Sequence, residues 1–206
     1  MIRRPPRSTR KESSAASDVY KRQGEKIPFI IHPHGGPNAR DYWGYNPEVQ
    51  FYATRGYGVI QMDYRGSTGY GRKEMMLANH EMGKSMQEDK YDALFWANEQ
   101  GYVDMNNVCI SGASYGGYAA MQAATKSPEL FKCIIAYVGV YDLTSSDLRG
   151  LQWSELSQPM EYIEKGNPSD PEDYKNLYEN SPLFFAENVE DPVLIITGRR
   201  AVSYTH

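Results

Sequence analysis

A serine framed by glycines offers the clearest chemistry in this sequence. Ser114 stands in the pattern G-x-S-x-G, with Gly112 two positions before it and Gly116 two positions after it. A short apolar run at 108–110 precedes the pattern, and an alanine-rich segment with good helix propensity follows it. A strand, a sharp turn and a helix in this order are typical of a nucleophile elbow, in which a strained turn lifts the serine hydroxyl above the sheet edge. The pattern therefore predicts that Ser114 is a nucleophile.

The residues around this serine suit the same chemistry. Gly112, Gly116 and the following Gly117 leave room for a helix that passes very close to its strand. The backbone N–H of Tyr115 would stand at the helix N-terminus, where it can face the negative charge that develops on a substrate oxygen. A Gly/Ser-rich loop that matches the five-residue pattern by chance is the alternative. The apolar run before it and the helical segment after it favour the elbow.

A second glycine loop follows the first predicted strand, 27–32. The sequence there reads His34-Gly35-Gly36-Pro37, and two adjacent glycines let bare backbone N–H groups approach a bound atom. In an α/β-hydrolase such a loop supplies the second donor of the oxyanion hole, whereas the alternative is an ordinary turn. Metal binding through His32 and His34 is less favoured, because no third ligand is placed with them.

Alternating strands and helices must position these residues. Such alternation predicts a doubly wound, mostly parallel sheet, in which connections are right-handed and sites lie at the carboxyl ends of the strands. Ser114 and both candidate oxyanion loops leave such ends, so they can converge. The predicted strands are 27–32, 58–64, 108–110, 131–141 and 192–197, and the predicted helices are 47–57, 86–100 and the segment after Ser114.

Other patterns in the sequence are interpreted as structural features. The glycine-spaced loop 65–71 does not predict a phosphate cradle, because the G-K-S at 83–85 has Ala78 where a Walker loop needs glycine. On helix 86–100, the charges are predicted to form a solvated face; these are Glu88, Asp89, Lys90 and Asp92. The segment 143–183 is polar, aromatic and helical in patches, as in an insertion that covers an active site, although its aromatic residues could equally be surface packing.

Composition limits the classes of function. The chain has 206 residues, 40% of them hydrophobic, which suits one α/β domain with a buried core. A net charge of −4 gives no reason to expect a nucleic-acid partner, and no apolar run approaches the length of a membrane span. No cofactor is expected.

Cys109 and Cys133 fall in predicted core strands, so we expect buried thiols rather than a disulfide. Cytoplasmic, periplasmic and secreted locations are all compatible with these features.

The two ends of the chain differ from the rest. Residues 1–23 carry seven Lys or Arg against one Glu and one Asp, and no apolar segment follows as in a signal peptide. Residues 13–23 and 202–206 resemble translated sequencing-adapter sequence. We therefore expect a disordered, non-native segment at 1–23, a partial hydrolase domain at 24–200 and a non-native tail at 201–206.

Taken together, three motifs resemble the catalytic domain of the prolyl oligopeptidase family of serine peptidases, particularly its acylaminoacyl-peptidase and dipeptidyl-peptidase-like members. They are the loop at 34–37, the sequence Tyr-Arg-Gly-Ser-Thr-Gly-Tyr-Gly at 64–71, and Gly-Ala-Ser-Tyr-Gly-Gly-Tyr at 112–118. The resemblance covers nearly all of 24–200. It implies an acyl-enzyme formed on Ser114, an oxyanion hole made by the N–H groups of Tyr115 and Gly36, and short peptides as substrates.

The chain also departs from the family pattern. The triad carboxylate is expected three residues after Gly198, where this chain has Ala201, and the only histidine after Ser114 is His206 in the adapter-like tail. We therefore expect the triad Asp and His to be absent, and the 206-residue chain alone to be an inactive fragment of a peptidase. Removal of a triad member costs on the order of 10⁴ to 10⁶ in kcat. An esterase or acyl hydrolase of the same fold and a non-catalytic binding module are the alternatives.

Overall fold

The computed structural model describes residues 25–145 and 165–198. The predictions for 1–23 and 201–206, and those for the part of the 143–183 segment between 146 and 164, lie outside this range. The strands are β1 (Ile27–Ile31), β2 (Gly58–Ile60), β3 (Val103–Ala113), β4 (Cys133–Tyr137) and β5 (Val193–Ile196). The helices are α1 (Pro47–Ala53), α2 (Arg72–Met76), α3 (Ser85–Glu99), α4 (Tyr115–Lys126) and α5 (Pro171–Glu179), with 3₁₀ turns at Pro128–Leu130 and Pro182–Asn188.

The five strands form one parallel sheet in the order β2-β1-β3-β4-β5. Ile31 is in register with Ile60 on one side and with Ile110 on the other, so β1 is an interior strand beside β3, the central strand of the described sheet. The carboxyl ends of parallel strands meet at one edge. This arrangement brings the loop after β1 and the turn after β3 together, as the fold prediction required.

Helices cover both faces of the sheet. Successive side chains of a strand point to opposite faces, and Ser111 of β3 accepts or donates a hydrogen bond with Tyr52 of α1, their oxygens 2.9 Å apart. The next residue, Gly112, lies against Gly116 of α4. Therefore α1 and α4 pack on opposite faces, which confirms the doubly wound α/β prediction. The main core includes Ile31, Ile110 and further buried apolar residues such as Leu94, Phe131 and Ile134.

Several element boundaries differ from the prediction. The strand of the elbow begins at Val103 rather than near Val108, because residues 103–107 continue the extended backbone although three of their side chains, Asp104, Asn106 and Asn107, are polar. The predicted strand 58–64 ends at Ile60, and the predicted strand 131–141 is only Cys133–Tyr137. Apolar composition continues past these strands into the connections at the carboxyl edge, so sequence pattern alone extends them too far.

The prediction of free thiols was wrong. Cys109 of β3 and Cys133 of β4 form a disulfide, with their Cα atoms 4.7 Å apart. The two residues are direct partners in the register of the β3–β4 pair. Composition indicates that both cysteines are buried, but only strand register shows that they face each other.

The prediction of a solvated charged face on α3 was also wrong for two residues. Met86, Leu94 and Ala97 are buried as predicted, but Lys90 is buried as well, with 0% of its surface exposed. Asp89 accepts two side-chain hydrogen bonds from Arg65, at 2.7 and 2.9 Å. The Lys90 ammonium lies against the rings of Tyr64 and Tyr115, which belong to other elements, so the helical wheel alone did not place this charge.

Candidate active site

The backbone at Ser114 has the strained geometry that an elbow requires. β3 ends at Ala113 and α4 begins at Tyr115, and Ser114 between them has φ 56° and ψ −118°. A non-glycine residue with positive φ is uncommon and costs free energy that the surroundings must supply. Here the Ser114 N–H donates to the carbonyl oxygen of Tyr137 at 2.9 Å, and the Ser114 carbonyl accepts from Tyr118 at 3.0 Å. These bonds fix the bend between strand and helix.

The elbow glycines are surrounded by backbone atoms. A Cβ on Gly112 would come within 2.7–2.8 Å of three backbone atoms of Gly116. A Cβ on Gly116 would overlap the carbonyl oxygen of Pro33, and one on Gly117 would lie 2.6 Å from the carbonyl oxygen of Tyr137. Real side chains do not tolerate such distances. The close approach of helix and strand therefore depends on all three residues being glycine.

The loop after β1 lies beside the serine. The position that a Cβ on Gly35 would occupy is 3.3 Å from the Ser114 Cβ and 3.9 Å from its hydroxyl oxygen. The neighbouring Gly36 has φ 133°, a backbone conformation that favours glycine, and its peptide bond to Pro37 is cis. Gly35 thus lies beside Ser114, and Gly36 follows it directly in the chain. The assignment of the Gly36 N–H to the oxyanion hole stays a prediction.

Side chains from the loop after β2 hold this glycine loop. His34 stacks on Tyr64, with ring centroids 4.4 Å apart and an interplanar angle of 16°. The Tyr64 hydroxyl donates to the His34 carbonyl at 2.8 Å. The two ring nitrogens of His34 lie 2.7 Å from the Gly35 carbonyl and 2.9 Å from the Ser67 hydroxyl. The family motifs at 34–37 and 64–71 are therefore one hydrogen-bonded unit.

The described histidines are engaged with other groups. Besides His34, the His32 ring lies 3.9 Å from the Glu48 carboxylate and the His80 ring 3.3 Å from the Asp173 carboxylate. Across 25–145 and 165–198, no hydrogen bond joins the Ser114 hydroxyl to a histidine.

Within the same described ranges, no group of three or more His, Cys, Asp or Glu could hold a metal ion. No helix there has the length and apolar character needed to cross a bilayer.

Sequence reasoning left two supporting residues without a role. Tyr64 and Ser67 belong to the 64–71 motif, which served only to indicate the family, yet their side chains bind the loop that carries Gly36. Burial raises the pKa of the Tyr64 phenol well above its ordinary value, so the hydroxyl remains a donor. The signal was the recurrence of hydroxyl and aromatic residues between glycines, but its partner, His34, is thirty positions away.

A parallel sheet with a serine in a left-handed bend between a central strand and its following helix defines the α/β-hydrolase class. Residues 43–200 match the prolyl oligopeptidase family of peptidases, and the chain belongs to that family. The predicted fold class and family are both confirmed. The chain is thus a member of a serine peptidase family.

Relatives with assigned names agree with this membership. The chain is 36% identical over 172 residues to dipeptidyl peptidase family member 6 of Caenorhabditis elegans, covering 82% of this chain and 23% of the relative. It is also 36% identical over 173 residues to dipeptidyl aminopeptidase BIII of Pseudoxanthomonas mexicana, covering 84% and 25%.

A solved structure gives the same result. A puromycin-hydrolyzing peptidase of Mycobacterium tuberculosis superimposes with a TM-score of 0.75 at 30% identity, covering 85% of this chain and 26% of that one. The chain therefore spans about a quarter of the length of the proteins that it matches.

Proposed function

We propose that the whole protein containing this chain is a serine peptidase that cleaves short peptides through an acyl-enzyme on Ser114. The observation that carries the proposal is the left-handed backbone of Ser114 at the junction of β3 and α4, beside Gly35. Membership of a serine peptidase family supports it. The peptide substrates follow from the relatives, of which the two at 36% identity are a dipeptidyl peptidase and a dipeptidyl aminopeptidase.

The proposed reaction has two steps. The Ser114 hydroxyl oxygen attacks the peptide carbonyl carbon while a base takes its proton, and the carbonyl oxygen becomes an oxyanion. The N–H groups of Tyr115 and Gly36 donate to that oxyanion. The C–N bond then breaks, the amine leaves with the proton, and water hydrolyses the serine ester to release the acyl product. Donors fixed before the reaction lower its barrier, since they need no reorganisation when the charge forms.

In this proposal, the histidine base and its carboxylate partner belong to a segment of the whole protein that follows Arg200. Ser114 is a neutral alcohol without them, and a weak nucleophile. The 206-residue chain alone is therefore expected to be nearly inactive. Ala201 at the position where the family pattern places the carboxylate is the sequence observation behind this expectation.

Hydrolysis by the protein encoded by the complete gene tests the proposal. The panel contains dipeptide and tripeptide p-nitroanilides and p-nitrophenyl esters, assayed with the wild type, Ser114→Ala and Ser169→Ala. Ser169 is an exposed serine in a turn, so its variant is a matched control. We expect anilide cleavage by the wild type and by Ser169→Ala, and a loss of at least about 10⁴-fold in kcat for Ser114→Ala.

Other outcomes would replace the proposal. Cleavage of esters without anilides would identify an acyl hydrolase of the same fold. No cleavage of either substrate by the wild type, together with a complete gene that lacks an Asp and a His after Gly198, would identify a binding module. Full activity in Ser114→Ala would contradict the assignment of the nucleophile.

A further inference from the structure

The buried lysine of α3 lies beneath the candidate active site. Lys90 has no exposed surface, and its ammonium donates to the Met86 carbonyl one turn earlier in the helix. Its nitrogen lies 3.9 Å from the ring centroid of Tyr64 and 5.2 Å from that of Tyr115. The carboxylate next to it in sequence, Asp89, is bound by Arg65 instead. Besides the Met86 carbonyl, the partners of the ammonium are therefore two aromatic faces.

Each of these two tyrosines supports one of the two proposed donors of the oxyanion hole. Tyr64 stacks on His34 and donates to its carbonyl, and His34 precedes the Gly35–Gly36 pair. Tyr115 follows Ser114 directly and carries the other proposed donor on its own backbone. The two rings also contact each other, with centroids 5.3 Å apart. One buried cation thus touches the supports of both donors.

We propose that Lys90 is a positioning residue, whose buried ammonium holds Tyr64 and Tyr115 and thereby fixes the backbone donors of Gly36 and Tyr115. This inference rests on the proposed function. An ammonium attracts the negative faces of aromatic rings, and the attraction is strongest where water is excluded. An apolar side chain of the same length would fill the space without this attraction, so the two rings would lose a shared point of attachment.

Charge at Lys90 depends on pH in the working range of a peptidase. Burial lowers the pKa of the ammonium to about 7, with Asp89 opposing the shift and Arg65 adding to it. The titratable and charged groups that face it are Asp89 on its own helix, Arg65 and Tyr64 on the loop after β2, and Tyr115 on α4. Burial keeps both phenols neutral, because it raises their pKa values. Raising the pH through about 7 therefore removes the cation and leaves the rings unchanged.

The test compares Lys90→Met, Lys90→Arg and the wild type in the protein encoded by the complete gene, with Lys175→Met as the matched control. Lys175 is an exposed lysine on α5 that pairs with Glu179. For Lys90→Met assayed below pH 7, where the wild-type ammonium is charged, we expect kcat to fall about tenfold with KM within about twofold, because the donors act on the oxyanion formed in the transition state. Lys90→Arg should recover most of the rate, and Lys175→Met should match the wild type.

Two further readouts separate positioning from folding. Replacement of a buried charge by an apolar residue of similar volume is often neutral or stabilising, so the Tm of Lys90→Met should not fall. The decline of kcat as pH rises above about 7 in the wild type should be absent in Lys90→Met and displaced to higher pH in Lys90→Arg. A folded Lys90→Met with wild-type kcat and the same alkaline decline would overturn this inference alone. A wild type without hydrolytic activity would overturn the proposed function, and this inference with it.

Discussion

The elbow at 112–117 and the loop at 65–71 are both rich in glycine, but their glycines have different neighbours. In the elbow, a Cβ on Gly112, Gly116 or Gly117 would meet backbone atoms. In the loop, a Cβ on Gly66 would meet the Ala78 methyl, one on Gly69 would meet the side chain of Arg40, and one on Gly71 would meet nothing within 4 Å. A long side chain such as that of Arg40 can move aside, whereas the backbone of a central strand cannot.

This difference separates the part that forms the candidate nucleophile from the part that supports it. The elbow backbone can adopt only one arrangement, because its helix, its strand and the loop after β1 are in mutual backbone contact. The support, which includes Tyr64, Ser67 and Arg65, works through side chains and hydrogen bonds. We therefore expect substitution of an elbow glycine to disrupt the fold locally, and substitutions in the support to have graded effects.

The largest effect is expected for Gly116→Ala. The added methyl would overlap the Pro33 carbonyl oxygen, so α4 or the loop after β1 must move. The loss of stability should be at least about 3 kcal/mol. Urea unfolding monitored by circular dichroism measures it. A Gly116→Ala variant with wild-type stability would show that the elbow tolerates a side chain, and would remove the contrast with the loop.

The disulfide is expected to come next. Cys109 and Cys133 join the strand of the elbow to β4 and are 24 positions apart in sequence. Replacing both residues by alanine should cost about 3 kcal/mol in the same unfolding experiment. Thiol titration of the denatured 206-residue chain should find no free thiol before reduction and two after it. Two thiols before reduction would restore the sequence-based prediction of free cysteines.

Gly71→Ala sharpens the comparison from the other side. Gly71 has φ 97° and ψ 164°, a conformation that side chains rarely adopt, but open space surrounds it. Only the backbone preference opposes the substitution, so we expect a loss of about 2 kcal/mol. Peptidase activity of the complete protein should persist. A loss as large as that of Gly116→Ala would mean that neighbours do not distinguish the two segments.

The smallest effect concerns Asp89. Burial alone raises its pKa, but hydrogen bonds from the Arg65 side chain and backbone outweigh burial and hold the pKa below the ordinary 3.8. Because the folded-state pKa is lower, this contribution to stability is present above about pH 4 and is lost as the pH falls through the folded value. Both side chains are partly exposed, so Asp89→Asn should cost only about 1 kcal/mol at pH 7.

Unfolding of Asp89→Asn at pH 7 and pH 3 measures this contribution. The difference from the wild type should be smaller at pH 3. Asp92→Asn, an exposed position on the same helix, is the control and should follow the wild type at both values. An equal loss at both pH values would show that the ion pair with Arg65 contributes nothing to the fold.

The difference between the elbow and its side-chain support also explains how much of the structure the sequence could predict. The elbow was predictable because strand, turn and helix are adjacent in the chain, and the glycines that the turn needs lie within the same short segment. The pairing of Cys109 with Cys133 depends on strand register, which apolar composition does not contain. The burial of Lys90 depends on Tyr64 and Tyr115, which reach it from a different loop and a different helix. Long-range side-chain contacts of this kind leave no periodic signal.

In the complete protein, we expect the bend at Ser114 to present an activated hydroxyl beside two backbone donors. Labelling with a fluorophosphonate probe, followed by peptide mass mapping, measures whether this hydroxyl is reactive. We expect one label, on Ser114, in the protein encoded by the complete gene, and almost none on the 206-residue chain alone. No label on Ser114 in a complete protein that hydrolyses peptides, or a label on another serine, would contradict it.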